Sequence, residues 1–593
     1  MINRILILVF SFLICGEMET DSIYYSNQDQ SDVNFLTSSY KLERWFSSEG
    51  NSEGLSDTWL DKYFEPRNIN LMNYDDIMSL PNITPLDANA IIKQKKKGLI
   101  DGTFRLKNSP GISYYGYKNL IDFVDFKDKE NDQFHFRFSS LIRTTPITTN
   151  PDSDGQGVEY YYSDKPEQFH RLTTSYLFSN NQAYLKGGMI YKQNMGQTNN
   201  ISTNKVFLEL SYLPFFKTGF QLDHFILGNY TASFGHGVVI ETTDYFSPRR
   251  SGYGYSKRND GLKSDITRSA QYVLNGMAIQ FSNKNLRLSY FKSENPRDAI
   301  INEDKESFTS LIVMQPRLSW GINGDSTKIY SDLISSVMER TMGWNIRFGN
   351  GGNYIGLTFY RSLYDKYIIP KPVETILGGG DDDNPEYDVS DFDDYSGDAF
   401  YLQYITNSAD PEIEAMYSNS GSNIKSYWDA AKSFRKVMGI DFSTTFKNIV
   451  FQGEVAEMPK YTCLGISNTD TKNKSFGSLI TEQVDCIADS VFSFGDDPKA
   501  MVLNAYTQFD NINFLILYRN YDLEFDNPYQ RSFSNYQRYK TSIFEDTYWL
   551  EDPIYGFLYS GNPQPQAEEG IYFSSRYQIH RSIVLRYELD TWN

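Results

Sequence analysis

Five histidines, His135, His170, His224, His236 and His580, are scattered through 593 residues. None has the spacing of a metal site or a proton relay, and no HExxH, G-x-S-x-G or phosphate-cradling glycine loop occurs. The chain therefore offers no catalytic set and calls for no cofactor. Two other groupings could do chemistry. Between Asp381 and Asp398 nine of eighteen residues are acidic, and Asp381, Asp382 and Asp383 directly follow three glycines. Hard oxygen ligands at that density suit Ca²⁺, but the spacing matches neither an EF-hand nor a nonapeptide repeat, so a charged, solvated loop is the competing reading. Cys463 and Cys486 lie in one polar stretch. In an oxidising compartment they would form a disulfide that stabilises its short ring by about 3 kcal/mol.

Two basic runs stand out in a chain of formal net charge -19. That charge repels phosphate backbones, so any nucleic-acid contact must be local. Lys93, Lys95, Lys96 and Lys97 precede Gly98, where they can meet a phosphate or simply complement the C-terminus of a helix. Arg249, Arg250, Lys257 and Arg258 follow the segment Phe234-Gly235-His236-Gly237-Val238-Val239-Ile240. The glycines flanking His236 suit a bulge or a close backbone approach. The basic patch after them could constrict a lumen, bind an anion or pair with acidic residues.

The elements that would carry these groups fall into four stretches. Residues 1–16 follow a signal-peptide plan: Arg4, an apolar run from Ile5 to Cys15, then polar residues. Export is expected, with lipidation at Cys15 as a minor alternative because Phe12-Leu13-Ile14 lacks a small residue before the cysteine. Residues 17–55 are a polar lead-in. From 56 to 126, Ile77 and Leu80, then Ala88, Ile91 and Ile92, then Leu120, Ile121 and Val124 recur at helical spacing and predict a small all-α domain.

From Gln133 the period becomes two. Phe134, Phe136 and Phe138 alternate with polar residues, and similar segments continue to 582–589. Close pairs are joined by short turns at 179–182, 282–285, 350–352, 447–448 and 510–511, and long polar stretches separate the pairs. Aromatic residues reach 16% while the hydrophobic total is only 40%, and mean hydropathy is -0.50. Aromatic girdles outside and a polar lumen inside give that combination. The fold class expected is mainly β: an antiparallel transmembrane barrel over 133–593, of about 14 to 18 strands and even in number, behind the helical domain.

Within 56–126, Ser79-Leu80-Pro81-Asn82-Ile83-Thr84 and Asn108-Ser109-Pro110-Gly111-Ile112-Ser113 each sit between apolar helical segments. The pair resembles the tandem helix-hairpin-helix domain of competence-type DNA-binding proteins, whose hairpin reads Pro-Gly-Ile-Gly. Asn82 and Thr84 replace both glycines in the first copy; the second keeps Gly111 and has Ser113. Together with the Phe234–Ile240 and Arg249–Tyr255 segments, the whole layout resembles helix-hairpin-helix-containing outer-membrane barrel proteins of the Bacteroidota. The resemblance implies an outer-membrane location, a periplasmic N-terminal domain, and contact with lipid and the barrel-assembly machinery. It also implies nucleic-acid candidates at Lys93, Lys95, Lys96, Lys97, Gly111 and Ser113, set against a packing module with a periplasmic protein partner. The function expected is a passive channel or a structural or assembly role. DNA or polymer handling and a secreted soluble adhesin are the alternatives. After the last alternating strand the chain runs on through Asp590-Thr591-Trp592 to Asn593, which leaves Trp592 one residue short of the terminal aromatic usual in such barrels, so either that signal is imperfect or strands are missing.

Overall fold

In the computed structural model the described residues are 62–63, 65–80, 83–127, 134–143, 166–178, 183–193, 203–215, 219–242, 261–267, 273–301, 305, 307–312, 314–315, 335–368, 433–458, 499–509, 511–522, 525, 527–532, 543–544, 568–580 and 583–592. Residues 52–593 form one compact unit.

The helical stretch begins with β1 (Arg67–Asn68), which pairs in parallel with β2 (Val124–Asp125). Between them lie α1 (Tyr74–Met78), α2 (Pro85–Lys97), α3 (Thr103–Lys107) and α4 (Tyr114–Leu120). Local sequence starts each long element. Asn73 with Asp76, and Thr84 with Asp87, form capping boxes at α1 and α2, and Pro85 opens α2. Lys95, Lys96 and Lys97 occupy the last turn of α2, where they complement the helix dipole. Ile77, Leu80, Ala88, Ile91 and Leu120 are buried as their spacing predicts, while Val124 falls on β2 rather than on a helix.

The sheet that follows contains fifteen long antiparallel strands among the described residues: β3 (Phe134–Arg143), β4 (Glu167–Phe178), β5 (Ala183–Gln193), β6 (Thr203–Phe215), β7 (Phe220–Ser233), β9 (Leu274–Ser282), β10 (Leu286–Ile301), β13 (Val337–Asn350), β14 (Asn353–Tyr364), β16 (Ser433–Phe446), β17 (Ile449–Glu457), β18 (Lys499–Gln508), β19 (Ile512–Tyr521), β21 (Glu568–His580) and β22 (Ile583–Trp592). Short strands β8 (Gly261–Ser264), β11 (Ser307–Ile312) and β15 (Tyr367–Ile368) decorate it, while β12 (Met314–Gln315) and β20 (Ile543–Phe544) form a separate parallel pair. Each long strand pairs with the next long one in sequence, from β3 to β22. Tight hairpins fix the register at one end. Gly351 (φ 63) and Gly352 join Asn350 to Asn353, and Lys447 (φ 52) with Asn448 joins Phe446 to Ile449. Positive φ is what a two-residue hairpin matching the strand twist requires.

The burial alternation is inverted relative to a soluble barrel. Along β13 the buried series is Val337, Glu339, Thr341, Gly343, Asn345 and Arg347, while Ile346 and Phe348 face outward. Lys205 and Glu209 are buried on β6, where Val206 and Leu208 are exposed; on β17 Gln452 and Glu454 are buried and Phe451 is exposed. Charge points in and apolar surface points out. No helix among the described residues is long and apolar enough to cross a membrane.

The sheet curls into a barrel whose seam lies between β22 and β3. The number of long strands among the described residues is odd where an even one is expected. Both seam strands start at the short-turn end, so they run in the same direction. No paired register joins them among the described residues, and nearly every described side chain on both is exposed. The barrel is thus antiparallel and continuous for fourteen junctions, but among the described residues no backbone pairing closes it at its seam.

Candidate functional site, the occupied lumen and its mouth

Two structures occupy the interior. After β7 the chain turns back on itself: Phe234 N–H donates to Ile240 O and Thr242 N–H to Ala232 O. The returning segment reaches β17, six strand positions round the sheet. There the Glu454 carboxylate accepts from the backbone N–H groups of His236 (2.6 Å), Val238 (2.9 Å) and Val239 (3.1 Å). Asn527 donates to Val238 O and Val239 O at 2.7 and 2.8 Å, and Arg531 N–H donates to Gly237 O. Side chains and a second inner segment thus supply backbone partners that a strand neighbour would otherwise give, as burial demands. Phe234, Val238, Val239 and Ile240 are fully buried.

Glycine is needed here for space. Gly235 has φ +55, and a Cβ there would lie 2.7 Å from the Glu454 carboxyl, which bears out the close backbone approach expected from the Gly-His-Gly pattern. Toward the long-loop end, Glu339 accepts from Tyr364 and Tyr529 hydroxyls at 2.9 Å each and pairs with Arg297 at 3.0 Å. This ties the second inner segment to three wall strands.

At the short-turn end the helical stretch caps the barrel. Asp75 bridges two wall arginines, Arg287 and Arg347, each at 2.8 Å. Asp76 takes Arg67 at 2.8 Å and the Tyr212 hydroxyl at 2.8 Å, with the Arg67 guanidinium 3.5 Å over the Tyr212 ring. Burial pushes the Asp76 carboxyl up, but Arg67 and the Asn73 amide outweigh it and hold it below its ordinary value. Asn89 reaches Thr445 and Gly352, and Thr84 reaches Gln508. Asp87 accepts from Thr84, Ser113 N–H and Gln508, and burial raises its carboxyl despite those bonds.

A cavity of about 470 Å³ lies between the cap and the wall, bounded by α1, α2, β6, β7, β9, β10 and β13. Its rim carries Lys95, Lys96, Lys284, Arg287 and Arg347. Lys95 is half-buried and donates to Met72 O; burial lowers its ammonium to about 8, partly offset by Asp76.

Of the residues singled out from sequence, Lys93, Lys96 and Lys97 are exposed on α2, while Lys95 turns toward the barrel mouth. Gly111 is exposed with φ +93. Ser113 caps α4 through Gly116 N–H, and its own N–H is held by Asp87. The basic patch Arg249, Arg250, Lys257, Arg258, the cysteines Cys463 and Cys486, the acidic Asp381, Asp382 and Asp383, and the signal and lead-in residues lie outside the described residues. No group of three or more His, Cys, Asp or Glu suited to a metal occurs among the described residues. Sequence reading missed Asp75, Arg287, Arg347, Glu339 and Glu454. Their only signal is a charged residue in the inward phase of a strand or in a helix's first turn, and nothing local says which will meet.

No protein-family model matches the chain, and no curated protein matches it. Solved structures do align. Salmonella typhi OmpF in complex with daunomycin aligns at 10% identity and TM-score 0.27, covering 78% of this chain and 90% of that one. A porin structure aligns at 10% identity and TM-score 0.27, over 78% and 95%. The outer membrane channel DcaP of Acinetobacter baumannii aligns at 9% identity and TM-score 0.26, over 79% and 92%. At such scores these alignments assign nothing to this chain.

Proposed function

We propose that the chain is an outer-membrane β-barrel protein, a passive channel held shut in the arrangement described, with its helical segment on the periplasmic side. The observation that carries this reading is the inverted wall: carboxylates and guanidiniums inside, Phe, Ile, Leu and Val outside. Apolar side chains ring the sheet from β3 to β22, which suits lipid and would leave a soluble adhesin with a large uncovered apolar surface. In a bilayer, backbone groups must be satisfied by strand pairing, and the fourteen antiparallel junctions do that everywhere except the seam. Short turns then face the periplasm and long connections the exterior, which puts the cap at the periplasmic mouth. Lipid and the barrel-assembly machinery are the partners this reading calls for.

The returning segment and the cap block the lumen in series. A nucleic-acid role for the cap draws on exposed Lys93, Lys96 and Lys97. The hairpin amide that a phosphate would need, Ser113 N–H, is engaged by Asp87. That favours a packed helix-hairpin-helix-like cap over a DNA-handling one.

Conductance of the purified full-length protein in a planar bilayer tests the proposal. Insertion with a mostly closed baseline and rare openings is expected. A steady, large conductance would show that the lumen is not blocked, and purification as a soluble protein without detergent would overturn the membrane assignment.

A further inference from the structure

The cavity under the cap has the chemistry of a ligand site that its own lid partly fills. Asp75 presents one carboxylate to two guanidiniums at equal distance, 2.8 Å from each. That is the arrangement by which a protein takes a free carboxylate. Further cations line it: Lys95 and Lys96 from α2, Lys263 from β8 and Lys284 from the turn between β9 and β10. The other two acids that line the cavity are already engaged, Asp76 on α1 by Arg67 and Tyr212, and Asp223 on β7 by Ser282 and Gln280. A locally cationic cavity in a chain of net charge -19 focuses anions toward it. Its volume, about 470 Å³, falls in the range of small-molecule sites.

We propose that this cavity binds a small polycarboxylate anion, which places one carboxylate near Lys95, Lys96 and Lys284 and contests Asp75 for Arg287 and Arg347. Binding does not depend on whether the barrel conducts. If the channel reading also holds, displacement of Asp75 loosens the cap, so the anion favours the open mouth. Lys95 sharpens the expectation. Its neighbours in charge are Asp76 on α1 and Arg67 on β1, and an added anion beside it favours the protonated amine.

The experiment is calorimetric titration of detergent-solubilised full-length protein with citrate, with inorganic phosphate and glucose in parallel. Saturable citrate binding is expected, with little for glucose. K284A, at an exposed turn residue, should weaken it about tenfold, the scale of one charge-assisted contact. D75N should tighten it by a similar factor, because the arginine pair loses its internal competitor. A destabilised cap would not produce these opposite signs. Citrate affinity unchanged in both variants overturns the site, as does absence of citrate binding to wild type and D75N alike. Phosphate binding without citrate binding overturns the carboxylate assignment. A silent bilayer recording with intact citrate binding would sink the channel and leave the site standing.

Discussion

The two obstructions in the lumen are held by different physics. The Phe234–Ile240 segment is anchored by neutral backbone N–H groups on a single carboxylate and by apolar side chains with no exposure. The cap meets the wall through the ion pairs of Asp75 with Arg287 and Arg347 and through hydrogen bonds between Asp76 and Tyr212, Asn89 and Thr445, and Thr84 and Gln508, and its Asp75 side chain keeps 22% of its exposure. Fully buried hydrogen bonds and apolar contacts are insensitive to salt and are lost only with the fold. Partly solvated ion pairs near an aqueous mouth weaken as salt rises. The returning segment is therefore part of the barrel's core, and the cap is the part that salt is expected to loosen first.

The largest effect should come from removing Glu454. E454A orphans three buried N–H groups, at about 1–3 kcal/mol each, and the denaturant midpoint of the folded barrel, read by heat-modifiable gel mobility, should fall by several kcal/mol in equivalent stability. G235A should act in the same direction by about 1–3 kcal/mol, since its φ is strained for alanine and its methyl meets the same carboxyl. If either variant leaves the midpoint untouched, the segment is not core.

A smaller and different effect is expected at the cap. R287Q with R347Q should leave barrel unfolding nearly unchanged but open the mouth, seen as faster proteolysis within 83–127 and more frequent channel openings. High salt should imitate it in wild type. If the double variant instead unfolds the barrel, the contrast between the two regions fails.

The smallest effect concerns acid. Asp76 is held below its ordinary pKa, so its contribution to the folded, docked cap is present above the carboxylate's unfolded value and is lost as pH falls through the folded one. Asp87 is raised, so its ionisation opposes docking at neutral pH and that cost disappears as pH falls through its folded value. D76N should weaken docking at pH 7 and flatten its loss in acid, whereas D87N should be tolerated better at pH 7 than D76N. Protease sensitivity of the cap between pH 3 and 7 distinguishes them.

Much of this architecture is legible in the residues themselves. Alternation from Phe134 onward dictates strands, because a period of two gives one polar and one apolar face. Asn350-Gly351-Gly352 and Lys447-Asn448 dictate tight hairpins, and Thr84-Pro85 with Asp87 dictates the start of a helix. Gly235 and Gly237 announce a place where backbone comes close to something, though not to what. The seam shows the opposite limit: β3 and β22 read as ordinary strands, and only their place in the sheet leaves them without a paired register.

Sequence determined the local elements and the polarity of the wall, since periodicity, capping and turn chemistry act over a few neighbouring residues. Tertiary structure decided that Glu454 would receive a segment more than two hundred residues away in the chain and that Asp75 would bridge two strands. It also decided that the Lys95 end of α2 would face a cavity. Those meetings depend on how the sheet curls and where the cap docks, and no short-range pattern encodes them.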